Sequence, residues 1–274
     1  MQGSCPTTTL AGRLVTVIVL ALLGLATATG APGETAIHRG TDAPIGTYRF
    51  MVSLRLAGTP DAPRCGGTLI APDIVLTAGH CVGNVPQGGL VAVVGADVAD
   101  WPTAPKVATL GHRTPEGFDL RLDNRHDIAV VRLAVPQATP GVRLARPEPH
   151  AGARVVTAGW GCTNAPPACT VRPTRLQASD QVVFRDAGCG RDVFFVRPTY
   201  YDRTTICTKG ARPRSTVNHG DSGGPLLVRD AGGGMRQVGV TSLGADSKVK
   251  LYAGFTSIPV ERRWIATAIA SLRG

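Results

Sequence analysis

The chain alternates short apolar runs with turn residues. Phe50–Leu56, Ile74–Thr77, Leu90–Val94 and Ile128–Leu133 form one set. Arg154–Ala158, Gln181–Phe184, Gln237–Ser242 and Leu251–Thr256 form a second, with Gly, Pro and Asp between the runs. Strand-length segments at this spacing, without intervening helical periods, predict antiparallel sandwiches or barrels rather than a parallel α/β sheet. Val135–Gly152 holds four prolines and no strand pattern, so it reads as the linker between two β units. One helix is predicted, Glu261–Leu272 after Pro259, with Trp264, Ile265, Ala268, Ile269 and Leu272 on one face. Near the start, Arg13 precedes an apolar run, Leu14–Leu25, and then Ala26-Thr27-Ala28. This is the anatomy of a secretory signal peptide over 1–28, too short for the ~20 residues that cross a bilayer. No other stretch approaches a membrane span.

Composition narrows the field. Of 274 residues, 43% are hydrophobic and 18% charged, which excludes wholesale disorder, while 34 Gly and 21 Pro argue against a helical bundle. The net charge of +10 comes mostly from arginine, scattered singly, and aromatics are only 5%. A nucleic-acid binder would cluster its cations among aromatics, so no nucleic-acid partner is expected. Seven cysteines leave an odd count, which resolves if Cys5 departs with the signal. Six then remain for an oxidising compartment: Cys65, Cys81, Cys162, Cys169, Cys189 and Cys207. Six cysteines allow 15 pairings, and spacing alone does not choose among them. No paired C-x-x-C arrangement suggests a metal site.

Three motifs carry the chemistry. Leu76-Thr-Ala-Gly-His80-Cys81 places a histidine after an apolar strand, and His126-Asp127 opens another strand. Gly220-Asp221-Ser222-Gly223-Gly224-Pro225 sets a serine in a glycine-rich turn. A serine nucleophile needs a base for its proton, a carboxylate to orient that base, and N–H donors aimed at the developing oxyanion. Gly220–Gly224 also fits the nucleophile elbow of α/β-hydrolases, but that fold places its histidine after the serine. All six histidines here precede Ser222, which excludes the elbow reading.

Together these motifs resemble the trypsin/chymotrypsin-like serine proteases of the secreted bacterial type, from about Ile37 to the C-terminal helix. The resemblance implies an all-β fold of two antiparallel β-barrels (about 37–140 and 150–258) with a helix over 259–272. It implies a secreted, monomeric serine endopeptidase that needs no cofactor. Its partners would be polypeptide substrates and protein protease inhibitors. Ser222 would be the nucleophile, His80 the general base then acid, Asp127 the residue orienting His80, and the N–H groups of Gly220 and Ser222 the oxyanion hole. Ser242, Leu243 and Gly244 match the strand that pairs with substrate, and Thr157–Gly161 matches a further signature. Gly79 stands where alanine is usual, a departure expected to leave the chemistry undisturbed. Some relatives have lost a triad residue and act as binding or regulatory proteins; none of the three is lost here.

The resemblance also implies an activation pair between the α-ammonium of Ile37 and Asp221, with 29–36 as a short propeptide. It supports Cys65–Cys81 and Cys189–Cys207, with Cys162–Cys169 remaining. Asn218 occupies the place of the usual bridge beside the nucleophile loop, so mobile S1 walls are expected. Thr216, at the pocket base, argues against a preference for Arg or Lys. Lys250 leaves two readings open: projecting inward it favours acidic residues before the scissile bond, and turned outward it leaves a small or apolar preference.

Overall fold

The computed structural model describes residues 1–3, 36–118, 125–164, 169–184, 204–213, 215–244 and 252–274. Its contacts divide into two units, Met1–Gly33 and Glu34–Gly274. The signal segment, Cys5, Cys189 and Lys250 lie outside the described residues.

In chain order, β1 (Thr41–Asp42) is followed by β2 (Met51–Leu56), β3 (Pro63–Ala71), β4 (Ile74–Thr77), β5 (Leu90–Val94), β6 (Val107–Arg113) and β7 (Ala129–Leu133). Strands β2–β7 close into an antiparallel barrel in the order β2-β3-β4-β7-β6-β5. After them come β8 (Arg143–Leu144), β9 (Arg154–Gly159), β10 (Gln177–Phe184), β11 (Thr205–Gly210), β12 (Pro225–Arg229), β13 (Met235–Leu243) and β14 (Tyr252–Ser257). The ring β9-β10-β11-β14-β13-β12 closes on itself through the β12–β9 pairing. The fold is therefore all-β, two six-stranded antiparallel barrels and a C-terminal helix, Ile258–Arg273.

Two boundaries differ from expectation. Thr41 and Asp42 pair with Ala178 and Gln177, so the segment that opens the first half belongs to the second barrel. Arg143 and Leu144 pair in parallel with β13, so the proline-rich linker contains a two-residue strand. A strand this short offers no period for a pattern to register.

The two cores are built differently. Met51, Leu54, Leu69, Ile74, Leu76, Leu90 and Leu133 fill the first barrel with large aliphatic side chains. The second has Phe255, Leu226, Val238 and Val155, but also buries Gln181, Thr208 and Gln237. Such amides survive burial only with partners. Gln181 accepts from Thr208 Oγ1 (3.1 Å) and donates to Ser179 Oγ (2.9 Å). Gln237 Oε1 accepts from Thr68 Oγ1 at 2.6 Å, which ties β13 of one barrel to β3 of the other.

Ile258, Ile265 and Ala268 bury one side of the C-terminal helix, with Trp264, Ile269 and Leu272 packed partly against the core. Arg132 on β7 caps it by donating to the Leu272 carbonyl at 2.5 Å. The helix so follows the second barrel in sequence yet is anchored to the first. Among the described residues, no helix is long and apolar enough to cross a membrane.

Candidate active site

The tight turn Gly79–Cys81 follows β4 and presents His80. It is held at one side by the Cys65–Cys81 disulfide to β3, and Arg64 Nε donates to the Cys81 carbonyl at 2.8 Å. Asp127 lies just ahead of β7, which pairs with β4, so the sheet itself brings the two residues together. The wholly buried Asp127 carboxylate accepts three hydrogen bonds. His80 donates from its backbone N–H to Oδ1 (2.8 Å) and from Nδ1 to Oδ2 (2.7 Å), and Ser242 Oγ donates to Oδ2 (2.6 Å). Because an ionised carboxylate only accepts, Nδ1 must carry the proton, and Nε2 is left as the basic nitrogen. The His80 side chain is 20% exposed, against none for Asp127.

Ser222 arrives from the other barrel. Its carbonyl accepts the Gly66 N–H at 2.8 Å, while Gly223 N–H donates to the Thr241 carbonyl at 2.8 Å. Gly223 has φ +80°, and a Cβ there would run into Thr77 Oγ1 and the Gly66 carbonyl. Only glycine allows the turn to press this closely on the strand that leads into His80. Among the described residues neither the Gly220 nor the Ser222 N–H donates a hydrogen bond, and Gly220 has φ +96°. Ser222 Oγ likewise forms no hydrogen bond with His80, a contact that commonly tightens only when substrate is bound.

Beneath this turn, Asp221 is buried, and burial pushes its carboxyl up to about 7, against the opposing pull of backbone donors and of Arg172. Its oxygens accept the Gly161 N–H and the Asn218 N–H, each at 2.8 Å. No cation forms an ion pair with it among the described residues. Ile37 is fully buried, and the adjoining His38 carbonyl accepts the Thr216 N–H at 3.1 Å. Thr216 is itself buried, with Oγ1 unpartnered among the described residues.

Asn218 is buried beside the Ser222 turn. In place of a covalent bridge it donates through Nδ2 to the carbonyls of Cys162 (3.0 Å) and Asn164 (2.8 Å), and it accepts the His219 N–H (2.9 Å). Nearby, Cys162–Cys169 is bonded, and Cys207 is also disulfide-bonded. Ser242 reaches Asp127, whereas Gly244 backs onto Val217; a Cβ on Gly244 would lie 3.2 Å from the Val217 carbonyl oxygen. Leu243 ends β13 between them, half-buried. Gly79 is more than a tolerated departure: a Cβ there would lie 2.8 Å from the Phe118 ring, so the missing methyl makes room for that side chain.

Several contributors were not singled out from sequence. Thr77 Oγ1 donates to the Gly66 carbonyl, and Thr256 Oγ1 donates to the Asp127 carbonyl, both at 2.8 Å. Thr77 stands within the histidine motif and Thr256 ends a predicted strand. Their roles depend on partners 11 and 129 residues away, which no local pattern encodes.

Comparison with known proteins gives the same architecture. The chain is 30% identical over 263 residues to trypsin iota of Drosophila melanogaster, covering 94% of this chain and 97% of that protein. It is 27% identical over 256 residues to a trypsin of Sarcophaga bullata, covering 91% and 96%. Among solved structures it resembles neuropsin, a serine protease expressed in the limbic system of mouse brain. The TM-score is 0.71 at 22% identity, over 85% of this chain and all of the other, which bears on the fold alone. These relatives are animal proteins and lend no support to a bacterial-type assignment. The family model described as Trypsin matches residues 37–265, and the chain belongs to the trypsin family of serine proteases.

Proposed function

We propose that this chain is a secreted serine endopeptidase using Ser222, His80 and Asp127. The observation that carries the proposal is the His80 ring, fixed by Asp127 with Nδ1 donating, beside a glycine-rich turn whose serine comes from the opposite barrel. His80 Nε2 takes the Ser222 hydroxyl proton as Oγ bonds to the scissile carbonyl carbon. The carbonyl oxygen becomes the oxyanion, facing the N–H groups of Gly220 and Ser222. His80 then gives the proton to the leaving amine as the C–N bond breaks. Water, deprotonated by His80 in turn, releases the acid and restores Ser222.

Activation would follow cleavage before Ile37. The new ammonium would reach Asp221, a buried acid that feels Arg172 but forms no ion pair among the described residues, and the oxyanion turn would set as the ion pair forms. The uncharged Thr216 fits a small, apolar or acidic residue before the scissile bond better than Arg or Lys. Residues 1–28 would direct export, consistent with disulfides at Cys65–Cys81 and Cys162–Cys169.

The test is labelling of the processed protein by a fluorophosphonate probe. Adduct on Ser222, absent from the Ser222→Ala variant, is the expected result. An unlabelled processed protein beside a labelled control protease overturns the proposal.

A further inference from the structure

His126 stands out among the residues around Asp127. It is one of three non-glycine residues with positive φ (58°) among the described residues. A β-carbon in this region is strained by roughly 1 kcal/mol or more, so the surroundings must hold it there. The His126 carbonyl accepts the Ile128 N–H at 2.8 Å, which makes Asp127 the middle residue of a tight turn.

The side chain supplies the hold. His126 Nδ1 lies 2.5 Å from Glu261 Oε1, with the His126 side chain 48% exposed and that of Glu261 only 5%. Glu261 belongs to the first turn of the C-terminal helix, and Thr256, at the end of the strand entering that helix, donates to the Asp127 carbonyl. One junction between β14 and the helix therefore grips two successive residues, His126 by its ring and Asp127 by its backbone.

Anchoring the helix does not need a buried acid. Ile258, Ile265 and Ala268 already bury its inner side, and an apolar residue at 261 would usually serve stability as well as a buried ion pair or better. A buried acid hydrogen-bonded to a strained residue is better explained by geometry. We propose that Glu261 and His126 form a positioning pair that fixes the turn carrying Asp127 and, through it, the Asp127–His80 hydrogen bond. Neither residue touches the reacting atoms. The inference rests on the reading of His80 and Asp127 given above.

The test compares Glu261→Leu, His126→Asn and the double variant with the unaltered processed protein. Leucine approximates the volume of glutamate without its charge, and asparagine tolerates the positive φ without reaching Glu261. Each single variant should lower kcat about tenfold with KM within twofold, as a displaced catalytic group would. The double variant should be no slower than the worse single, since both break one contact. The downfield proton resonance of His80 Nδ1–H should shift or broaden in all three, while the Glu261→Leu melting midpoint is held or raised.

If kcat stays within twofold and the resonance is unmoved, the pair only anchors the helix and the proposal fails. If Glu261→Leu does not fold, His126→Asn, at a half-exposed site, decides alone. Should the unaltered protein resist the fluorophosphonate, the endopeptidase reading is what fails, and the His80 resonance still tests the pair.

Discussion

The two halves of the cleft are prepared to different degrees. On the first-barrel side the acceptors of Asp127 are satisfied: its carboxylate accepts three hydrogen bonds, its carbonyl a fourth, and a disulfide pins the turn beneath His80. On the second-barrel side, among the described residues, the Gly220 and Ser222 N–H groups donate to nothing, Thr216 Oγ1 is buried without a partner, and Asp221 is a buried acid pushed up to about 7. A buried hydroxyl without a partner, or a buried carboxyl without a paired cation, costs free energy, whereas Gly220 and Ser222 are only half-buried and can meet water. On the proposed reading, the N–H groups would be met by the substrate oxyanion and Asp221 by a charge released on cleavage. The contrast separates what folding assembles from what, on the proposed reading, processing and substrate would complete.

The widest effect expected is from Ser222→Ala, which should lower peptide hydrolysis by about 10⁴-fold or more while leaving the fold intact. Circular dichroism beside a peptide-amide assay checks both. A folded variant that retains activity would move the nucleophile elsewhere and dissolve the contrast.

Next comes Asp221, whose effect depends on pH. Its carboxyl ionises near 3.8 when unfolded and about 7 when folded. Between these values the unfolded chain has lost a proton that the folded chain keeps, so its contribution to stability declines as pH rises from about 4 to about 7, then levels off. The ceiling on this loss is about 4 kcal/mol. Chemical denaturation of the unprocessed protein against Asp221→Asn should show their difference growing across that window. In processed protein an Ile37 ammonium paired with Asp221 would flatten the curve. Identical curves before and after processing would remove the ion pair from the scheme.

A smaller change is expected on the completed side. Ser242→Ala removes one of two donors to Asp127 Oδ2 and should slow kcat about tenfold, near the worth of one hydrogen bond to a charged group. Unchanged kcat would mean the carboxylate is held adequately by His80 alone.

The smallest effect belongs to Thr216. Thr216→Val replaces an unpartnered buried hydroxyl with a methyl and should raise stability by about 1 kcal/mol. A fall in the denaturation midpoint would show that the hydroxyl is satisfied, and would weaken the case that this half is incomplete.

Much of the molecule was legible from local sequence, for identifiable reasons. Ile74–Thr77 and Leu90–Val94 coincide with β4 and β5 because their inward residues are aliphatic and short turns bound them. Strand β10 was read only from Gln181, though it begins at Gln177, because its inward residues are Gln177, Ser179 and Gln181. Polar residues facing inward erase the alternation that marks a strand. Strand β3 was missed because Gly66 and Gly67 resemble a turn; in the barrel they give room to the Ser222 turn and to Val75. The predicted helix and its apolar face reappear, but Glu261, a polar residue on the buried side, breaks the pattern at the position that grips His126.

What the sequence alone determined was the kind of chain and its chemical vocabulary. Strand-length apolar runs mark the β class, and the His80, Asp127 and Ser222 motifs, in an order that excludes the α/β-hydrolase arrangement, point to one set of reacting groups. Only the tertiary structure decided how those groups are held. The hydrogen bonds to Asp127 come from β13, β14 and the turn after β4, and the Ser222 turn rests on β3 of the other barrel. Such contacts join residues from 47 to more than a hundred positions apart, and periodicity speaks only for neighbours. Closing two barrels against each other is what brings them within hydrogen-bonding distance.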